Sequence, residues 1–206
     1  MNRLIISAPF GNYLDSASWL EHTTPTIGTF TLENRGGVLW RLWKVLSTVR
    51  YYPGIQAWKN KLGLPNPGID GRYKPSITDW DWHKKRIISV SARSTEDWLA
   101  LLYKTSNFTP AGIEMNVSCP NTGEIDKTNY AEVFETYVKH RSSDTTVIVK
   151  LPPIGYEKMF ETAVNAGVRA FHCCNTLPID GGRGGLSGKP LKLLSLACIK
   201  WINNLN

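Results

Sequence analysis

Three amides, a thiol, a lysine and a glycine run stand where one binding mouth could use them all. Asn116-Val117-Ser118-Cys119-Pro120-Asn121, Val149-Lys150-Leu151-Pro152-Pro153 and Asn175-Thr176-Leu177-Pro178 each close an apolar run. Gly181-Gly182-Arg183-Gly184-Gly185-Leu186-Ser187-Gly188 follows the last of them. Amides carry paired donor and acceptor edges and suit a planar, imide-like ligand, and a lysine suits a delocalised anion. A glycine-rich backbone suits a phosphate or close contact with a ring. Taken singly, each has a plainer reading. A Cys-Pro is usually a buried turn, a strand-terminal Lys a solvated end, an Asn a turn cap and a glycine run a mobile loop. Their ordered recurrence at the ends of successive apolar runs carries the functional reading.

The elements that must position them alternate strand and helix. Arg86–Ser91, Gly112–Val117, Val147–Leu151 and Val168–Cys174 read as strands, the last apolar on both faces as buried parallel strands are. Ser94 offers an N-cap with Asp97 three residues on, ahead of an apolar stripe at Trp98, Leu101 and Leu102. Tyr130, Val133, Phe134, Tyr137 and Val138 keep helical spacing, as do Met159, Phe160, Ala163 and Val164, with Gly167 placed to end that helix. Leu191, Leu194, Cys198, Trp201 and Leu205 form a last amphipathic helix. Leu4–Ala8 and Thr26–Thr31 make two further strands, and Gly36–Gly71, rich in Gly, Pro and Trp, reads as an extended loop excursion. A β-α unit of about 25–30 residues predicts a parallel sheet with helices outside. Six strands are counted where a closed (β/α)8 barrel needs eight and about 250 residues. The expected fold is therefore an α/β barrel of that type, strands 7 and 8 absent, as a single domain over residues 1–206.

Bulk properties narrow the function classes. The chain has 206 residues, 42% hydrophobic and 20% charged, as an ordinary globular protein does. No run approaches the roughly 18 apolar residues of a membrane span, and Met1–Phe10 is too short for a signal peptide, so a cytoplasmic protein with no membrane partner is expected. Cys119, Cys173, Cys174 and Cys198 fit neither a metal site nor a disulfide framework, and Cys173 and Cys174 read as small core residues. The net charge of +7 invites a nucleic-acid reading, yet Lys and Arg are scattered without a block, and no nucleic-acid partner is expected. Of the eight Trp, several lie at amphipathic positions and read as packing residues.

The set N-x-S-C-P-N (116–121), V-K-L-P-P (149–153) and N-T-x-P…G-G-L-S-G (175–188) resembles the dihydroorotate dehydrogenase family, an FMN-containing barrel. Asn60–Gly68 resembles that family's segment after its second strand, and Thr31–Gly36 the stretch before it. The likeness runs from about Ser7 to the C-terminus. It implies FMN-dependent oxidation of dihydroorotate to orotate in pyrimidine biosynthesis. Cys119 matches the base that takes the C5 proton, which places the chain with the soluble class; the membrane-bound class has Ser there. Asn60, Asn116, Asn121 and Asn175 match amides around the pyrimidine ring and carboxylate, with Leu62, Gly63, Leu64 and Thr176 beside them. Lys150 matches the lysine at the flavin's pyrimidine edge. Thr29, Asn60, Asn116, Thr176, Ser187 and Gly188 match further positions on the cofactor. Implied partners are dihydroorotate and orotate, a second copy in a homodimer, or an iron–sulfur flavoprotein subunit, with fumarate or NAD as acceptor.

Two departures follow. The soluble class has a Lys where this chain has Gly28. The family also continues past the helix beginning at Pro190 with two strands that hold the FMN phosphate, so 206 residues are expected to bind FMN weakly or not at all. Three alternatives stay open: an oxidoreductase of another dihydropyrimidine, a catalytically silent truncated relative, and an enzyme of RNA dihydrouridine. The last group has a related N-x-G-C-P element without G-G-L-S-G.

Overall fold

The computed structural model describes residues 4–8, 11, 22–36, 38–71, 84–118 and 126–205. Along them run β1 (Leu4–Ile6), β2 (Thr23–Phe30), α1 (Val38–Thr48), β3 (Arg50–Tyr52), β4 (Ala57–Asn60), β5 (Ile87–Val90), α2 (Thr95–Ser106), β6 (Gly112–Asn116), α3 (Tyr130–His140), β7 (Thr146–Lys150), α4 (Glu157–Asn165) and β8 (Ala170–His172). Strands β9 (Leu177–Ile179) and β10 (Gly184–Gly188) and helix α5 (Lys189–Asn203) complete the order.

Six of the strands form one sheet in the order β1-β2-β5-β6-β7-β8, every pairing parallel. This is the succession of β-α units expected from the sequence, and a sheet of an incomplete (β/α)8 barrel. Among the described residues no strand extends it beyond β8 or joins that edge to β1. Burial follows position. β5 and β6 are buried throughout, because helices cover one face and the curled interior the other, whereas β8, at the free edge, is half-buried along its length.

The helices dock as their stripes dictate. Ser94 Oγ accepts the Asp97 N–H at 3.1 Å and caps α2. Trp98, Leu101 and Leu102 then pack inward against Val133, Phe134 and Tyr137 of α3. The Tyr137 hydroxyl donates to Trp98 O at 3.0 Å, so the phenol enters the core with its polar end satisfied. Phe160 of α4 meets Phe171 and Trp201, which fastens α5 to the outer layer.

Two sequence readings need correction. Gly36–Gly71 is no plain loop. It holds α1 and the β3–β4 hairpin, whose Gly, Pro and Trp content masked the helical spacing. The glycine run is not wholly a loop either: Gly184–Gly188 is strand β10. With β3, β4 and β9 it forms a second, antiparallel sheet in the order β3-β4-β10-β9. Glycine is needed there because the backbones close in. A Cβ on Gly188, whose φ is +103°, would lie 2.5 Å from Gln56 O. Lys59 and Lys61 both reach Asp180, at 2.8 and 2.9 Å, and tie the two excursions together. The second sheet thereby carries Asn60 and the Leu62–Leu64 turn to the C-terminal ends of the parallel strands.

Candidate active site

Strand register sets the site. Asn116 of β6 stands level with Lys150 of β7, and Lys150 with His172 of β8. Side chains alternate along a strand, so Glu114 shares the interior face with Asn116, while Ile113 and Met115 turn to the helices. Ser89 lies level with Glu114 on β5. A stretch of barrel interior that aliphatic side chains usually fill is therefore polar here. Past the strand ends the ladder continues, Leu151 N donating to His172 O and Asn175 N to Leu151 O, which holds Asn175 beside Lys150.

One directed hydrogen-bond chain joins these groups. Asn175 Nδ2 donates to Asn116 Oδ1 at 2.8 Å, and Asn116 Nδ2 to Thr29 Oγ1 at 3.2 Å. Thr29 Oγ1 and Ser89 Oγ are 2.9 Å apart, and Ser89 Oγ donates to Glu114 Oε1 at 2.8 Å. Ser89 has one hydrogen and gives it to the carboxylate, so the Thr29 hydroxyl donates to Ser89. Burial works against ionisation of Glu114. The His172 hydrogen bond, the Lys150 charge and the Ser89 hydroxyl together outweigh it and hold the carboxyl below its ordinary range. An ionised carboxylate only accepts, so His172 Nδ1, 2.7 Å from Glu114 Oε2, is the donor there. His172 Nε2 lies 3.4 Å from Ser7 Oγ on the far side of the sheet opening. Lys150 Nζ stands 4.0 Å from Glu114 Oε1 and points inward, not to the helix layer. Every donor in the chain leads to one buried negative charge.

Of these groups Ser7, Thr29, Asn116, Lys150, His172 and Asn175 line a cavity of about 290 Å³, with Ser89 and Glu114 behind its wall. Of the residues singled out in the sequence, Thr29, Asn60, Leu62, Leu64, Asn116, Lys150, Asn175 and Thr176 are in its wall. Gly63 belongs instead to a wider neighbouring cavity of about 880 Å³ that shares Leu62 and Leu64. Ser187 and Gly188 sit in β10, paired with Trp58 and Ala57, and are not among the described wall residues. Cys119 and Asn121 lie outside the described residues. The other three cysteines are in place: burial pushes the Cys173, Cys174 and Cys198 thiols up, and Cys174 reaches the cavity wall beside Ser195. Asn66 shapes the rim, accepting from Thr31 N and Gly68 N and donating to Leu64 O.

Sequence reasoning passed over Glu114, His172, Ser89 and Arg41, the last reaching the same cavity from α1. Glu114 did leave a signal: a carboxylate between Ile113 and Met115, two residues before Asn116, must share the Asn116 face. Arg41 and His172 left none, since only the tertiary fold brings them in.

Gly28 also lines this cavity, where the family lysine was expected. Its φ is +110° and a Cβ there would stand 2.5 Å from Ser89 O, at a register break between β2 and β5. Gly28→Lys is therefore expected to lower stability by about 1–3 kcal/mol and not to add a cation to the cavity. A denaturant midpoint equal to wild type would count against that backbone assignment.

A family model described as dihydroorotate dehydrogenase matches residues 26–205. The catalytic subunit of dihydroorotate dehydrogenase B (NAD(+)) from Methanopyrus kandleri is 34% identical over 166 residues, covering 68% of this chain and 51% of that protein. Its counterpart from Petrotoga mobilis is 29% identical over 170 residues, covering 73% and 57%. That from Lachnoclostridium phytofermentans is 24% identical over 219 aligned positions, covering 96% and 71%. Among solved structures, DHODH from Eimeria tenella in complex with ferulenol superposes with a TM-score of 0.67 at 16% identity, over 96% of this chain and 65% of that one. This last likeness is one of fold. The chain spans about half the length of the first two curated relatives.

Proposed function

The chain belongs to the dihydroorotate dehydrogenase family, and from that premise we propose that it oxidises dihydroorotate to orotate with bound FMN. The observation that carries the reading is the cavity where Asn116, Asn175 and Lys150 meet over the ionised Glu114. The polar set fits the pyrimidine edge of a flavin: the Lys150 cation, the Asn60 and Asn116 amides and the Thr176 hydroxyl stand in one wall. Asn60, Asn116, Lys150 and Thr176 would hold that edge, and FMN so bound supplies the acceptor for a hydride.

The chain's own residues do the rest. Oxidation removes a proton from C5 and a hydride from C6 of the substrate. Cys119 takes the proton. An ordinary thiol has a minor thiolate fraction at neutral pH, which suffices for a positioned base. The reading is supported by what the other candidates lack: Cys174 is a poorer base because burial pushes its thiol up, and Glu114 is saturated by Ser89 and His172. Asn175 and Asn116, locked to each other and further held by Ser118 and Thr29 respectively, present fixed amide edges to the planar ring. Lys150 would hold its positive charge at the flavin's pyrimidine edge. Relatives of this chain carry either NAD(+) or fumarate in their names, and both stay open as the final acceptor.

The test is anaerobic. Purified chain with excess FMN is mixed with dihydroorotate, or with dihydrouracil, which lacks the carboxylate. The visible flavin band is expected to bleach with dihydroorotate alone, orotate appearing in equal amount. Bound flavin that stays oxidised in dihydroorotate would overturn the proposal, and equal bleaching by dihydrouracil would overturn the substrate.

A further inference from the structure

His172 has no part in the chemistry above, yet it stands in the wall of the same cavity. It ends β8, level with Lys150 on β7. Its side chain is 25% exposed, against 3% for Glu114 and 9% for Lys150, so of these three groups it is the one open to solvent protons.

The two ring nitrogens have different partners. Nδ1 donates to Glu114 Oε2 at 2.7 Å, whether or not the ring is charged, because an ionised carboxylate only accepts. Nε2 lies 3.4 Å from Ser7 Oγ. A hydroxyl donates to a bare ring nitrogen and accepts from a protonated one, so a proton can arrive at or leave Nε2 with neither contact broken. The neutral ring is thereby held in its Nδ1–H form, and Nε2 is the one place on it where a proton adds.

Charge decides what that proton does. Lys150 Nζ stands 4.0 Å from Glu114 Oε1, and the carboxylate offsets the ammonium. With His172 neutral, the three side chains together carry no net charge; with His172 protonated, they carry one positive charge at the cavity. Among the other described wall residues, only Arg41 from α1, which has contacts of its own, and Cys174 after β8 are ionisable. A guanidinium keeps its charge across the neutral range, and burial pushes the Cys174 thiol up, away from it. Imidazole is the side chain whose charge ordinarily changes between about pH 5 and 8.

We propose that His172 couples anion binding in this cavity to the uptake of one proton: a planar carboxylate bound there draws a solvent proton onto Nε2 and releases it on leaving. The inference rests on the reading that the cavity receives dihydroorotate and orotate, and adds a binding residue that answers their negative charge. No bond to the ligand forms or breaks.

Calorimetry on the chain with excess FMN measures the binding of orotate, and of uracil, the same ring without the carboxylate. The range runs from about pH 5.5 to about pH 8, above the ordinary titration of a carboxylate. Orotate affinity is expected to rise on the order of tenfold as pH falls across it, and uracil affinity to stay level. The heat of orotate binding is expected to vary with the buffer's own ionisation heat, as proton uptake requires. His172→Asn keeps a donor for Glu114 without a titrating ring, and is expected to lose the dependence on pH. Nitrogen-15 spectra of the wild-type imidazoles, assigned by replacing each of the four histidines singly, are expected to show His172 as the Nδ1–H form at high pH. Orotate at fixed pH is expected to move that ring toward its doubly protonated form. An orotate affinity that does not change with pH, an unchanged dependence in His172→Asn, or an Nε2–H ring overturns the proposal and leaves dihydroorotate oxidation standing. Absence of orotate binding at every pH overturns both.

Discussion

Cys119→Ala is expected to slow dihydroorotate-dependent flavin reduction by two to four powers of ten, about the contribution of one positioned general base. The thiol acts on the substrate, so flavin affinity, read from fluorescence quenching, is expected to stay within about twofold of wild type. Pre-steady-state bleaching under anaerobic conditions separates the two quantities. Wild-type bleaching is also expected to quicken with pH toward about 8.5, where an ordinary thiol becomes half thiolate, and the alanine variant to lose that dependence. A variant that keeps near-normal bleaching with the same pH profile would remove Cys119 from the proposed reaction. It would point back to a group within the described cavity.

Glu114→Gln is expected to cost about 3–5 kcal/mol of folding stability, the usual consequence of removing one partner from a buried charge cluster. Glu114 answers both Lys150 and His172 and ends the hydrogen-bond chain from Asn175. An amide in its place leaves the buried Lys150 charge without its counter-charge, although it can still accept from Ser89. The same substitution is expected to change the acid limb of the stability curve. The folded-state pKa of Glu114 is lowered, so the carboxylate's contribution is present above its ordinary value of 4.5 and is lost as pH falls through the lowered folded value. The gap between wild type and Glu114→Gln should therefore be full near neutral pH and shrink below about pH 4.5. Denaturant melts at several pH values check this. A gap independent of pH would mean that the cost comes from packing alone.

The regular half of the molecule was legible because its signals are local. Ile87–Val90 and Gly112–Asn116 are runs too short for helices, and Ser94 with Asp97 announces α2 before its stripe begins. The strand ends then place Asn116, Lys150 and Asn175 at one mouth, because parallel β-α units put the C-terminal end of every strand on the same side. Segments outside that alternation were less legible. In α1 the spacing was present, but periodicity states only that a helix has an apolar face, not which way the face turns. Tryptophans read as packing proved to be of two kinds: Trp98 is fully buried, whereas Trp43 and Trp58 are about half-exposed.

By itself, then, the sequence determined the succession of β-α units, the family they belong to and the amides, thiol and lysine on which a function can be argued. These follow from hydrophobic spacing and from residue types that sit close together in the chain. The tertiary structure alone decided that β4 pairs with β10, that Arg41 enters the cavity from α1, and that Glu114 meets His172, 58 residues away. Those contacts depend on strand register and on how the excursions fold back over the sheet. Because the energy of a buried charge depends on its neighbours in space, residue order could not reveal that Glu114 stays ionised inside the barrel.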